Sequence, residues 1–139
     1  MQVMNEVEQP ILWAGVLVIK DRRVLVLKET DKPFYLLPGG KVEAGETDEQ
    51  AAVREAMEEI GVGVSLKGLF TELLEHSKVN NQMVRFKLYN AELLSEFDMK
   101  NLPGKTEEII WIDSKFADGE VGNLLAQILP VLVAKEHIN

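Results

Sequence analysis

The chain has 139 residues, with 23 acidic against 15 basic side chains and a formal charge of −8 at pH 7. That balance argues against a nucleic-acid backbone as partner, which requires a basic patch. No cysteine is present, so disulfides, thiolate nucleophiles and cysteine-held zinc are excluded and a reducing, cytoplasmic setting fits.

Residues 1–9 are polar and read as an N-terminal tail, with 10–139 as a single domain long enough to bury a core. Glu6 and Glu8 stand where a signal peptide would be basic, so none is expected. Ile11 to Lys20 is a β-rich apolar run, too short to span a bilayer and best read as a buried strand. Asp21 and Arg22 form a turn, and Val24 to Lys28 returns as the second arm of a hairpin. Phe34 to Leu37 is a short extended piece in which Phe34 and Tyr35 could stack on a base or pack in the core or at its rim. It leads into Pro38-Gly39-Gly40, expected to be a sharp turn where backbone approaches a ligand closely.

Gly45 marks a second turn, and Thr47 with Gln50 fits a capping box that starts a helix. Gly61 suits its C-terminal cap. At about 100° per residue, Glu55, Glu58 and Glu59 share one face. Val53, Ala56, Met57 and Ile60 are expected on the opposite, core-packing face. Arg54 is the one cation of this helix, four residues from Glu58. An acidic face is ordinarily a solvated surface. This one sets Glu55 and Glu59 at like-charge i,i+4 spacing with no interleaved lysine, a repulsion that a hard divalent cation would turn into coordination.

Beyond the helix, Val62 to Glu75 reads as a strand interrupted near Lys67-Gly68, and 77–82 as a hairpin tip. Met83 to Leu93 alternates, with Arg85 and Lys87 on its polar face; Arg85 is a candidate phosphate contact or a solvated cation. A loop with Pro103-Gly104 precedes a strand from Glu107 to Asp113. Glu120 to Lys135 is an apolar helix, bent or restarted near Pro130, that packs on the sheet or on a partner subunit; a homodimer is open. The predicted class is α/β: a mixed sheet between two helices, an α/β/α sandwich.

The stretch from Gly40 to Val62 resembles the signature of the Nudix hydrolases, the MutT-like family. Gly40, Glu46, Arg54, Glu55, Glu58, Glu59, Gly61 and Val62 occupy its places, and Ala56 is smaller than the bulky aliphatic of the strict pattern. The predicted sandwich resembles the fold of that family. The resemblance implies a metal-dependent pyrophosphohydrolase that cleaves a nucleoside diphosphate linked to another group: a nucleoside triphosphate, an oxidised nucleotide, or a nucleotide sugar such as ADP-ribose. It implies Mg²⁺, with Mn²⁺ as substitute, held by Glu58 and Glu59. Glu55 joins them or braces a metal-bound water, and the Gly40 region completes the shell. Arg54 orients the glutamates; Gly45, Glu46 and Gly61 are structural. The base is a box glutamate such as Glu55 or Glu58, or a later one, Glu107 or Glu108. Lys41 is a further candidate phosphate contact. The alternative is a nucleotide-binding sensor that kept the fold and lost turnover.

Overall fold

A computed structural model of the chain describes residues 9–76, 82–116 and 120–139. Among these residues the order is β1 (Ile11–Leu17), β2 (Ile19–Lys20), β3 (Arg23–Glu29), β4 (Phe34–Leu36), β5 (Gly39–Lys41), α1 (Asp48–Ile60), β6 (Val64–His76), β7 (Met83–Leu93), β8 (Thr106–Ile112), β9 (Glu120–Val121) and α2 (Asn123–Ala134). One sheet runs β5-β1-β7-β6, with β1 parallel to β7 and antiparallel to β5. The other runs β2-β3-β4-β9, with β8 antiparallel to β3.

The period of two along β3 explains the sandwich. Leu25 and Leu27 face α1, where they meet Ala14 and Val16 of β1 and Ala51, Ala52, Ala56 and Ile60 of the helix. Val24 and Val26 face α2 and pack with Leu125, Ile128 and Leu132. A strand covered on both faces is apolar throughout rather than alternating. The expected α/β/α sandwich is therefore present, its sheet layer divided in two.

Several local expectations are corrected. The run from Ile11 to Lys20 breaks at Val18, and its parts join different sheets. Only Ile19 and Lys20 form the hairpin with β3; Asp21 and Arg22 close it with φ of 52° and 60°, the left-handed pair a tight hairpin turn uses. Pro38-Gly39-Gly40 is not a sharp turn: Gly39 and Gly40 lie in β5, paired with Gly15 and Ala14. The buried stripe of α1 is also shifted. Ala51, Ala52, Ala56 and Ile60 are buried, whereas Met57 is 51% exposed and Val53 is exposed too. The helix is rolled so that its Glu55–Glu59 edge, not its Val53–Met57 edge, lies beside β5, and alanines allow that approach. At the C-terminal end, Glu120 and Val121 are a strand parallel to β4, so α2 begins at Asn123 and carries Pro130 within it.

The interruption in β6 is a pair of register shifts between Leu66 and Thr71, around Gly68 at φ 113°. Residues 77–81 of the hairpin tip expected at 77–82, and residues 1–8 of the tail expected at 1–9, lie outside the described residues. Among the described residues, no helix is long and apolar enough to cross a membrane.

Candidate active site

α1 starts as its sequence dictates. Thr47 Oγ1 accepts from the Gln50 N–H at 3.1 Å, and the Gln50 side chain accepts from the Thr47 N–H at 2.9 Å. Gly61 ends the helix at φ 73°, its N–H donating to the Met57 carbonyl. The thirteen residues between these caps carry the glutamates past β5.

Arg54 organises them. Its Nε and Nη2 each donate at 2.8 Å to one oxygen of Glu46, a bidentate pair. Nη2 also donates to the Lys41 carbonyl at 2.9 Å. Nη1 donates to Glu55 at 2.9 Å and to both oxygens of Glu58 at 3.2 Å. One guanidinium thus ties the loop before the helix, β5 and two helix glutamates together. Glu46 also accepts from the Glu43 N–H at 2.8 Å. The hydrogen bond from Arg54 lowers the Glu46 pKa from its ordinary 4.5 to about 2.

The two glycines of β5 make room for what crosses them. A Cβ on Gly40 would stand 2.4–2.6 Å from the Glu55 carboxyl atoms, and one on Gly39 would stand 2.3 Å from the Trp13 indole. Close approach, not positive φ, requires glycine at both places. The Gly39 N–H donates to Glu59 Oε1 at 2.7 Å. Burial raises the Glu55 pKa, against the pull of Arg54. Burial raises Glu59 to about 8, opposed by its bond to Gly39 and assisted by the charge of Glu55.

Glu55, Glu59, Gly39, Gly40 and Lys41 line a cavity of about 360 Å³, together with Glu29 and Lys32 from the end of β3 and its loop. A second cavity of about 430 Å³ shares Trp13, Leu36 and Leu37 with the first and is lined by Phe34, Phe86 and Asn123. Trp13 stands between them, its ring 5.4 Å from that of Phe86. A larger cavity of about 640 Å³ beside Trp111 and Phe97 includes none of the acid-helix residues. Size does not locate the chemistry; convergent charge does.

The other sequence candidates lie elsewhere. Glu107 pairs with Lys28 at 3.6 Å, and Glu108 accepts from the Tyr35 hydroxyl at 2.9 Å; neither lines the acidic cavity. Tyr35 is buried edge-on against Phe116 and lines neither of the paired cavities, so it offers no face for stacking there. Arg85 pairs with Glu72 at 3.2 Å, also outside both. Phe34, the other stacking candidate, does line the second cavity; the linings that sequence reasoning missed are Trp13, Phe86, Asn123, Glu29 and Lys32. Gly15 and Gly39, flanking one tryptophan across two strands, were the available signal: paired glycines inside strands mark the close approach of something bulky.

The donor set suits a hard divalent cation in kind, since it is carboxylate and backbone oxygen without sulfur or imidazole. As the side chains stand, no three His, Cys, Asp or Glu groups among the described residues could close on a metal ion. The reason is visible: Glu58 is turned toward Arg54, while Glu59 is held by Gly39. Glu55 and Glu59 face the cavity already, and Glu58, 56% exposed at its side chain, has room to rotate toward it.

Residues 11–121 match the family model of the NUDIX domain. Over 63 residues, 43% of its length, the chain is 45% identical to the ADP-ribose pyrophosphatase of Methanocaldococcus jannaschii, a match spanning 37% of that protein. Over 56 residues it is 45% identical to the 8-oxo-dGTP diphosphatase of Proteus vulgaris, covering 37% of this chain and 50% of that one. Its backbone matches a crystal structure of a MutT NUDIX hydrolase from Burkholderia pseudomallei with a TM-score of 0.76 at 24% identity, over 88% of this chain and 98% of that one.

Proposed function

The chain belongs to the NUDIX family, and on that footing we propose that it is a metal-dependent hydrolase of nucleoside diphosphate derivatives. The observation that carries this reading is the convergence of Glu55, held by Arg54, and Glu59, held by the Gly39 N–H, on one cavity lined by Gly39 and Gly40. A cation bound there would be held by Glu58 and Glu59, with Glu55 beside them, and would supply charge neutralisation at the phosphate oxygens and activation of the attacking water.

The chain's own residues do the rest. Arg54 fixes Glu55 at the cavity wall and the Gly39 N–H holds Glu59 there, so that Glu58 is the carboxylate that must turn inward on binding. Glu55, oriented by Arg54 at the cavity wall, is placed to take the proton of the attacking water. That water adds to one phosphorus, the bridging P–O bond breaks, and the electron pair leaves with the departing phosphate. Lys41 lines the path of the phosphate chain. The second cavity, walled by Trp13, Phe34 and Phe86, suits a nucleobase, with the Asn123 amide to donate and accept at its edge.

A purine nucleoside triphosphate, oxidised or not, places its base in one cavity and its phosphates in the other. ADP-ribose is the second substrate reading, favoured by the likeness to the Methanocaldococcus jannaschii protein. Phosphate and pyrophosphate release from 8-oxo and ordinary nucleoside triphosphates, ADP-ribose and nucleotide sugars, with Mg²⁺, Mn²⁺ and chelator, decides between them. Nucleotide binding without metal-dependent turnover of any would favour the silent sensor instead.

A further inference from the structure

We propose that Lys32 binds the phosphate chain of the substrate and that Glu29 is the positioning residue that holds it there. The proposal rests on the hydrolase reading above and extends it to a segment outside the acid helix.

β3 pairs with β8 in continuous register to Lys28, then shifts so that Glu29 lies opposite Thr106. The chain turns at once: the Lys32 N–H donates to the Glu29 carbonyl at 3.2 Å, and Lys32 Nζ reaches Glu29 Oε1 at 3.1 Å. The tip of this turn is braced from the loop before β8. The Thr30 N–H donates to the Lys105 carbonyl at 2.9 Å, and Lys105 Nζ meets Asp31 Oδ2 at 3.0 Å. A four-residue turn fixed at base and tip is a defined platform, not a floating loop.

Glu29 and Lys32 both line the cavity of Glu55, Glu59 and Lys41. The Glu29 side chain is 15% exposed and that of Lys32 43%, so the carboxylate sits low and the ammonium toward the opening. Three carboxylates here face two lysines, and an incoming polyphosphate needs every cation the cavity can offer. A lysine on a free stem would spread into solvent. Tethered to Glu29, it pays less of that entropy on binding and keeps donors to spare, since an ammonium has three. Of the other cations near this end of the fold, Lys28 is paired with Glu107 and lies by the Tyr35 ring, outside the cavity.

The test is a double-mutant cycle over Lys32→Met and Glu29→Gln, read in two ways with Mg²⁺ present. Steady-state kinetics separate KM from kcat, and calorimetry measures the Kd of a methylene-bridged, non-hydrolysable triphosphate analogue. We expect Lys32→Met to raise KM and Kd by about tenfold, the scale of one charge-assisted contact, with kcat little changed. Lys32→Arg should recover most of the loss. Glu29→Gln should weaken binding in the wild-type background and add nothing to Lys32→Met. An unchanged Kd in Lys32→Met, or a Glu29→Gln cost that is equal in both backgrounds, overturns the proposal. A wild-type chain that hydrolyses nothing would sink the functional reading, while the calorimetric cycle would still decide the role of Lys32.

Discussion

Arg54 grips Glu46 side-on through two bonds of 2.8 Å and reaches Glu55 and Glu58 with its remaining nitrogen. The planar fork of the guanidinium makes this possible, and an ammonium at the same place could satisfy only part of it. Arg54→Lys should therefore leave the fold intact and lower kcat by about 10–100-fold, as loss of a ligand-orienting partner does. Turnover of the variant beside its thermal melting curve checks this; near-full activity would mean the glutamates orient themselves.

Glu46 makes the same network visible in acid. Its folded pKa of about 2 lies below the ordinary 4.5, so its contribution to stability is present above pH 4.5 and lost as pH falls toward about 2. The gap in melting temperature between the wild type and Glu46→Gln should be constant near neutrality and close through that acid window.

Glu59 has the opposite sign. With a folded pKa of about 8, the native state holds a proton that the unfolded chain has lost above 4.5. Without metal, stability should fall as pH rises from about 4.5 to about 8. A divalent cation must displace that proton, so Mg²⁺ should raise the melting temperature more at pH 8.5 than at pH 6. Glu59→Gln should flatten both dependences. An Mg²⁺ effect that is the same at both pH values would place the ion elsewhere.

The acid helix was almost wholly legible in the sequence. Its cap residues, its C-terminal glycine, the shared face of Glu55, Glu58 and Glu59, and the reach of Arg54 to Glu55 and Glu58 are local properties, fixed by spacing along one helix. The roll of that helix was not legible, because Ala51 and Ala52 carry little hydrophobic weight and yet pack closest. Gly39 and Gly40 were read as a turn because glycine has two uses. Only the neighbouring strand, with Trp13 and the helix beyond, shows that close approach is the one used. The pairing of the two cavities depends on contacts between segments far apart in the chain: Trp13 with Phe86, and Glu29 with Glu59. The same distance defeats the placement of Glu107 and Glu108, whose facing is set by the shift at Lys28 and Glu29.

Gly40 offers a steric test. Gly40→Ala would put a methyl group within 2.4–2.6 Å of the Glu55 carboxyl atoms, displacing them from the cavity. Overpacking of this kind costs about 1–3 kcal/mol, and turnover should fall further than stability explains. By contrast, Thr47→Ala removes only the helix cap, costing about 1 kcal/mol with kcat preserved at temperatures where the protein stays folded.

The most direct test is Mg²⁺-dependent nucleotide hydrolysis by Glu58→Gln and Glu59→Gln beside the wild type, with melting curves to show that all three are folded. The account predicts turnover in the wild type that chelator abolishes, and a loss of about 10²–10⁴-fold in each variant. Folded variants that hydrolyse nucleotide at near wild-type rates would contradict it, because the acid face of α1 would then be surface and nothing more.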